Sequence, residues 1–127
     1  MIRVLAIDDE EDVAELIKIQ LESRGGFVVK TESDASQALR TAREFGPDVI
    51  LLDIMMPKMD GSEVAADFMN DREFKRTPLI FLTALVTNQE VKNSSVSSAK
   101  RTYLPKPINW TELVDAIQAT KHPATLV

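Results

Sequence analysis

Short apolar runs alternate with amphipathic segments along the whole chain. Five runs have the length and composition of β-strands, at residues 4–7, 27–31, 49–52, 79–82 and 102–104. A segment with apolar residues at helical spacing follows each of them. Because strands that alternate with helices form parallel sheets with right-handed crossovers, the pattern predicts an α/β fold, a (βα)5 doubly wound five-stranded parallel sheet with helices on both faces.

The predicted helices differ in how clearly their ends and faces can be identified. Asp34 and Asn109 have the position and spacing of capping residues for the second and the last helix. The fourth helix is expected to be short or frayed, because Ser and Asn side chains at 93–98 compete for backbone hydrogen bonds. Residues 70–78 are expected to form a polar connection. The first helix is expected to bury one stripe, formed by Val13, Leu16, Ile17 and Leu21.

Composition and charge narrow the class of protein. The chain has 127 residues, 44% of them hydrophobic and 28% charged, which is typical of one soluble domain. We expect that domain at residues 1–121 and a tail at 122–127. The net charge of −5 and the lack of a Lys/Arg cluster argue against direct nucleic-acid binding. The chain has no Cys, no signal-peptide pattern and no membrane-length apolar run, so we expect a cytoplasmic protein that does not bind membranes.

Polar residues collect where the predicted strands end. They are, in chain order, Asp8 and Asp9, Asp53, Thr83 and Lys106. Because the carboxyl ends of parallel strands meet at one edge of a sheet, we expect these side chains to lie together. Three clustered carboxylates repel one another and need a cation. With no Cys, and with His122 in the tail, the available ligands are oxygens, which favour Mg²⁺, Mn²⁺ or Ca²⁺.

A carboxylate beside Mg²⁺ can attack phosphorus and form an aspartyl phosphate. A metal ion and Lys106 would then neutralise the transferring phosphoryl group, and Thr83 could donate a hydrogen bond to one of its oxygens. One phosphoryl-transfer reaction would thus give every residue of the set a role.

Four motifs occur in order over essentially the whole chain. They are Asp8-Asp9, the run Asp53-x-x-Met56-Pro57-x-Met59-Asp60-Gly61, Thr83-Ala84, and Tyr103-Leu104-Pro105-Lys106-Pro107. Together they resemble the receiver domain of two-component response regulators, in its single-domain form. The resemblance implies a flavodoxin-like sheet with strand order 2-1-3-4-5.

The resemblance also implies a role for each acid. Asp53 corresponds to the phosphoacceptor. Asp9, Asp53 and the backbone carbonyl of Met55 correspond to the Mg²⁺ ligands, and Asp8 would reach the metal through a bound water. Mg²⁺ is therefore the expected cofactor.

The remaining motif residues correspond to the phosphate-binding and switch positions. Lys106 would bind the phosphoryl group, and its bond to Pro107 is expected to be cis. Thr83, with Ala84 beside it, and Tyr103 would form the switch. In the family this switch repacks the face made by the fourth helix, fifth strand and last helix, which signals to a partner by a population shift.

The function implied is a phosphoacceptor that receives its phosphoryl group from a histidine kinase or a histidine phosphotransfer protein. It would act on an unknown downstream protein, as a monomer or weak dimer, and would catalyse only its own phosphorylation and dephosphorylation. A relay intermediate that passes the group to a phosphotransfer histidine is an open alternative, as is a metal-binding interaction module without phosphotransfer. A small-molecule phosphohydrolase would need a second acid at position 55, where Met stands. The chain could also be part of a longer regulator or hybrid kinase.

Overall fold

The computed structural model of the protein describes residues 1–54, 61–83 and 101–121. They contain a parallel sheet of five strands in the order β2-β1-β3-β4-β5, which confirms the predicted fold and strand order. The strands are β1 (Ile2–Ile7), β2 (Phe27–Glu32), β3 (Val49–Asp53), β4 (Leu79–Thr83) and β5 (Arg101–Pro105).

Four helices lie within the described ranges, and none of them is long and apolar enough to cross a membrane. A 3₁₀ turn (Ala35–Gln37) leads into the second helix. The fourth helix predicted from the sequence and the tail at 122–127 lie outside the described residues. The described helices are α1 (Glu11–Ser23), α2 (Ala38–Phe45), α3 (Gly61–Asn70) and α4 (Trp110–Lys121).

The core consists of two apolar clusters, one on each face of the sheet. Helices α2 and α3 cover one face and helices α1 and α4 the other. All five residues of β3 are buried, as are all five of β4, because successive side chains enter opposite clusters. Continuous apolar strands therefore fix the centre of the sheet, and the polar residues lie beyond their carboxyl ends.

The strand register brings the carboxyl ends of β1 and β3 to the same level. Ile7 pairs with Leu52, so the next residues along the two strands, Asp8 and Asp53, lie side by side. The backbone N–H of Asp8 donates to the carbonyl of Glu32 at 3.1 Å, which extends the β1–β2 pairing by one residue. The site is thus positioned by the backbone pairing of three strands.

Two residues of helix α1 close the outer edge of β2, which is an edge strand of the sheet. Lys18 and Glu22 form an ion pair of 2.9 Å. The Lys18 ammonium donates to the Val29 carbonyl, and the Val29 N–H donates to the Glu22 carboxylate, both at 3.0 Å. The Lys18 hydrogen bond and the Val29 N–H lower the pKa of Glu22. One ion pair therefore satisfies both backbone polar groups of Val29.

The capping predictions are confirmed at one helix and modified at another. The Asn109 side chain accepts a hydrogen bond from the Glu112 N–H at 3.0 Å, as an N-cap does. The Asp34 carboxylate accepts from the Ser36 N–H at 3.0 Å, but it caps the 3₁₀ turn and not the α-helix itself.

The buried stripe predicted for the first helix is wrong at one position. Leu16 is 47% exposed, and the residues that face the sheet are Ala14, Ile17 and Leu21, while Val13 is partly buried. Ala14 and Leu21 lie three residues before and four after Ile17, on one face, whereas Leu16 lies about 100° away from Ile17 around the helix. The buried residue one turn before Ile17 is thus the small Ala14, and Leu16 is half exposed.

The polar connection expected at 70–78 is present, but the expectation is wrong at one position. Phe74 is 3% exposed, and its ring meets that of Phe68 edge-on, with centroids 5.6 Å apart and planes at 82°. The Phe74 and Lys75 N–H groups donate to the Asp71 carbonyl, so the segment turns back onto the core. Phe74 is flanked by polar residues, so its burial in the core was not predicted from the sequence.

The two neighbouring positions in α1 should differ sharply in their contribution to stability. Ile17→Ala should lower the free energy of unfolding by about 2–4 kcal/mol, because it leaves a cavity in the core. Leu16→Ala should change it by less than about 1 kcal/mol, because the side chain is half exposed. Urea denaturation of both variants measures this difference, and equal losses would contradict the orientation of the helix.

Candidate functional site

Three carboxylates converge at the carboxyl edge of the sheet. Asp8, Asp9 and Asp53 each offer an oxygen within 4.8 Å of the others. Asp8 and Asp53 are 1% and 3% exposed, and Asp9 is partly buried. Because β1 and β3 are fixed by core packing, the backbones of Asp8 and Asp53 are held side by side. The sequence prediction that strand ends bring these acids together agrees with this geometry.

Two oxygens of the acid cluster have no hydrogen-bond partner among the residues that the structure describes. They are Oδ2 of Asp8 and Oδ1 of Asp9, and both are buried. The other oxygen of Asp8 accepts from the Glu10 N–H at 2.9 Å. A buried acceptor without a donor costs free energy, and carboxylate oxygens are the ligands that hard divalent cations prefer. The acid cluster therefore fits a cation such as Mg²⁺.

Lys106, which directly follows β5, brings a positive charge to the acid cluster. Its ammonium lies 3.1 Å from Oδ2 of Asp53 and 3.6 Å from Oδ2 of Asp8. The Lys106 N–H donates to the Thr83 carbonyl at 2.9 Å, and the bond between Lys106 and Pro107 is cis. The side chain is 22% exposed, so this charge faces the acids from the rim of the site.

Burial sets the protonation of Asp8. The pKa of the carboxyl is raised from 3.8 to about 6, mainly by burial and to a smaller extent by the charges of Asp53 and Asp9. The Glu10 N–H and the Lys106 ammonium act in the opposite direction but do not cancel the effect of burial. Ionisation of the clustered carboxylates is therefore unfavourable, and a bound cation would reduce their repulsion.

The two predicted switch residues lie on adjacent strands. Thr83 is buried at the end of β4 and pairs in register with Pro105. Tyr103 is partly buried on β5, and its ring stacks on that of Phe81, with centroids 4.8 Å apart and planes at 19°. Phe81 did not stand out in the sequence, because an aromatic residue in an apolar strand is typical of a core.

Two predicted site residues, Met55 and Ala84, lie outside the described residues. The structure therefore brings together the three acids and Lys106, with Thr83 at the end of the next strand. A dense negative cluster with one ammonium beside its central carboxylate can hold a divalent cation and neutralise an incoming phosphoryl group.

Replacing Asp8 should make the metal-free protein more stable at neutral pH. The folded-state pKa of Asp8 lies above its unfolded value, so the folded protein binds more protons between about pH 4 and 6, and stability falls as pH rises through that window. Asp8→Asn keeps the acceptor for the Glu10 N–H and removes the charge. It should raise the free energy of unfolding by about 1–3 kcal/mol at pH 7.5 and by much less at pH 4.5.

Urea denaturation in the presence of a chelator, at both pH values, measures this effect. Asp115→Asn is the matched control, because Asp115 is exposed on α4. A gain of the same size at pH 4.5 and pH 7.5 would show that charge repulsion is not its cause.

Comparison with known proteins is consistent with this geometry. Residues 4–118 match the family model described as the response regulator receiver domain. The DNA-binding dual master transcriptional regulator RpaA of Synechocystis is 34% identical over 94% of this chain and 48% of its own length. The DNA-binding response regulator MtrA of Mycolicibacterium smegmatis is 36% identical over 92% of this chain and 49% of its own. This chain thus spans about half the length of these relatives.

Solved structures show the same fold. The chemotaxis protein CheY4 of Vibrio cholerae has a TM-score of 0.81 and 29% identity, covering 94% of this chain and 98% of that one. The receiver domain of the Francisella response regulator 1452 has a TM-score of 0.79 and 27% identity, covering 96% of this chain and 98% of that one. The chain therefore belongs to the response regulator receiver domain family.

Proposed function

We propose that the protein accepts a phosphoryl group from a histidine kinase on Asp53, with Mg²⁺ as cofactor, and signals through the surface near β5 and α4. The observation that carries this proposal is the convergence of Asp8, Asp9 and the Lys106 ammonium on the Asp53 carboxylate. An acid at the end of a buried strand, with both a cation-binding cluster and a lysine beside it, is suited to nucleophilic attack on phosphorus.

Asp53 would act as the nucleophile. Its backbone is held by the β3–β4 pairing, which continues beyond the strand through the Ile54 N–H and the Leu82 carbonyl at 3.2 Å. A carboxylate oxygen attacks the phosphorus of a phosphohistidine, the P–O bond forms and the P–N bond breaks, and the imidazole nitrogen keeps the electron pair and takes a proton. Fixing the nucleophile in this way lowers the entropic part of the barrier.

The other charged residues would stabilise the transferring group. Asp9 and Asp53 would hold Mg²⁺ directly and Asp8 through a water, and the ion when bound neutralises charge on the phosphoryl oxygens. The Lys106 ammonium, already 3.1 Å from Asp53, would pair with a phosphoryl oxygen once the carboxylate is phosphorylated. The Thr83 hydroxyl would donate to another phosphoryl oxygen.

Signalling would then depend on Thr83 and Tyr103. Movement of Thr83 toward the phosphoryl group changes the space beside β4, and Tyr103 on β5 responds. The result is a shift between two populations of the surface around β5 and α4. In this proposal the protein catalyses only its own phosphorylation and dephosphorylation, at Asp53.

The proposed partners are proteins. The relatives RpaA and MtrA are named as DNA-binding, but the present chain carries a net charge of −5, which is unfavourable for contact with nucleic acid. The absence of direct DNA binding, the cytoplasmic location and the monomeric or weakly dimeric state stay predictions.

Incubation with acetyl phosphate and Mg²⁺ should add the mass of one phosphoryl group to the protein. The gain should disappear in Asp53→Asn, because the amide is not a nucleophile toward phosphorus, and should persist in the exposed control Asp115→Asn. Intact mass spectrometry measures both. Phosphorylation of Asp53→Asn to the wild-type level would place the acceptor elsewhere, and no gain in wild type would overturn the proposal.

Removing the lysine should separate metal binding from phosphoryl transfer. Lys106→Met should bind Mg²⁺ about tenfold more tightly, because the ammonium no longer competes for the acids, and should be phosphorylated at least about tenfold more slowly. Lys121→Met is the control, because Lys121 pairs with Asp48 and with none of the three acids. Calorimetric Mg²⁺ titration and the rate of mass gain measure the two effects. Weaker Mg²⁺ binding in Lys106→Met would show that the lysine organises the acids instead.

A further inference from the structure

The rings of Phe81 and Tyr103 form a stacked pair across β4 and β5. The two residues are direct partners in the strand register, their ring centroids are 4.8 Å apart, and their planes differ by 19°. Phe81 is 3% exposed and belongs to the apolar cluster beneath α2 and α3, and Tyr103 packs against that same cluster. The Tyr103 ring therefore lies over a buried, fixed aromatic surface.

Phe81 also shares a face of β4 with Thr83, since side chains two residues apart on a strand point to the same side. Phe81 is thus a neighbour of both predicted switch residues, one along its own strand and one across the sheet. A ring at this point can pass a change at Thr83 to Tyr103, because the cluster around it is closely packed.

We propose that Phe81 is a positioning residue of the switch: its ring holds Tyr103 against the core and sets how easily Tyr103 turns outward. The consequence for signalling rests on the proposed function, but the positioning of Tyr103 does not. An aromatic pair is stabilised beyond the burial of its area, and this extra attraction disappears when one ring becomes an aliphatic side chain. Phe81→Leu should therefore raise the ratio of outward to inward Tyr103 about fivefold.

The chain offers a specific probe, because Tyr103 is its only tyrosine. Labelling with 3-fluorotyrosine places a single ¹⁹F reporter on this ring, and the change of its NMR shift between H₂O and D₂O reports exposure to solvent. Phe74→Leu is the matched control: Phe74 is equally buried in the same cluster, but its ring packs on Phe68.

In metal-free buffer, we expect Phe81→Leu to move the ¹⁹F signal and to increase its solvent isotope shift, while Phe74→Leu leaves both near the wild-type values. Phe81→Met serves in the same comparison if Phe81→Leu does not fold. A wild-type ¹⁹F signal in the folded Phe81 variant would overturn the proposal, as would equal changes in Phe81→Leu and Phe74→Leu.

The signalling consequence is measured by repeating the spectra after acetyl phosphate and Mg²⁺, with the phosphorylated fraction read from intact mass. We expect equal phosphorylation of wild type and Phe81→Leu but a smaller ¹⁹F change in the variant. An equal ¹⁹F change in both would overturn the role of Phe81 in coupling. Absence of mass gain in wild type would overturn the proposed function and leave the metal-free comparison as the decisive test of Phe81.

Discussion

Electrostatic repulsion among three clustered acids is the constraint on which this structure depends. Asp8, Asp9 and Asp53 are held within 4.8 Å of one another, although burial and the charges of the other two acids keep the pKa of Asp8 raised to about 6. The apolar strands β1 and β3 impose this proximity, because their core packing is worth more than the repulsion costs. Lys106 relieves part of the repulsion from the opposite side of the site. Because the fold holds the acids together against this repulsion, the binding of a cation would lower the free energy of the folded protein.

The fold and the residues that form the site could be predicted from the sequence for one reason. Buried parallel strands are continuous apolar runs, and the residues at their carboxyl ends must meet at one edge of the sheet. The sequence alone therefore predicts that Asp8, Asp53 and Lys106 lie close together. Local packing could not be predicted in this way. Leu16 and Ile17 are equally apolar, and only the burial of Ala14 and Leu21 on the same face as Ile17 shows which of the two enters the core. The pairing of Phe81 depends on strand register, which hydrophobic periodicity does not specify.

The two apolar clusters give the sheet different roles on its two faces. The cluster beneath α1 and α4 contains mostly aliphatic strand residues, with Phe27 of β2 as its buried aromatic strand residue. The other cluster contains Phe81 and Tyr103, as well as the Phe68–Phe74 pair. The stacked pair lies on β4, which ends at Thr83, and on β5, which leads into Lys106, whereas the edge-on pair lies on α3 and the segment after it. On the same face of the sheet, the stacked pair lies next to the functional site, whereas the edge-on pair contributes only to stability.

The ion pair on the edge strand has a consequence for assembly. Unpaired backbone groups on an exposed strand are a template for another chain, and Val29 would present such groups at the middle of β2. Lys18 and Glu22 occupy both of them, as a neighbouring strand would. A second copy cannot extend the sheet at this point without first displacing a charged pair. Addition of a strand from another copy is thereby disfavoured at the middle of β2.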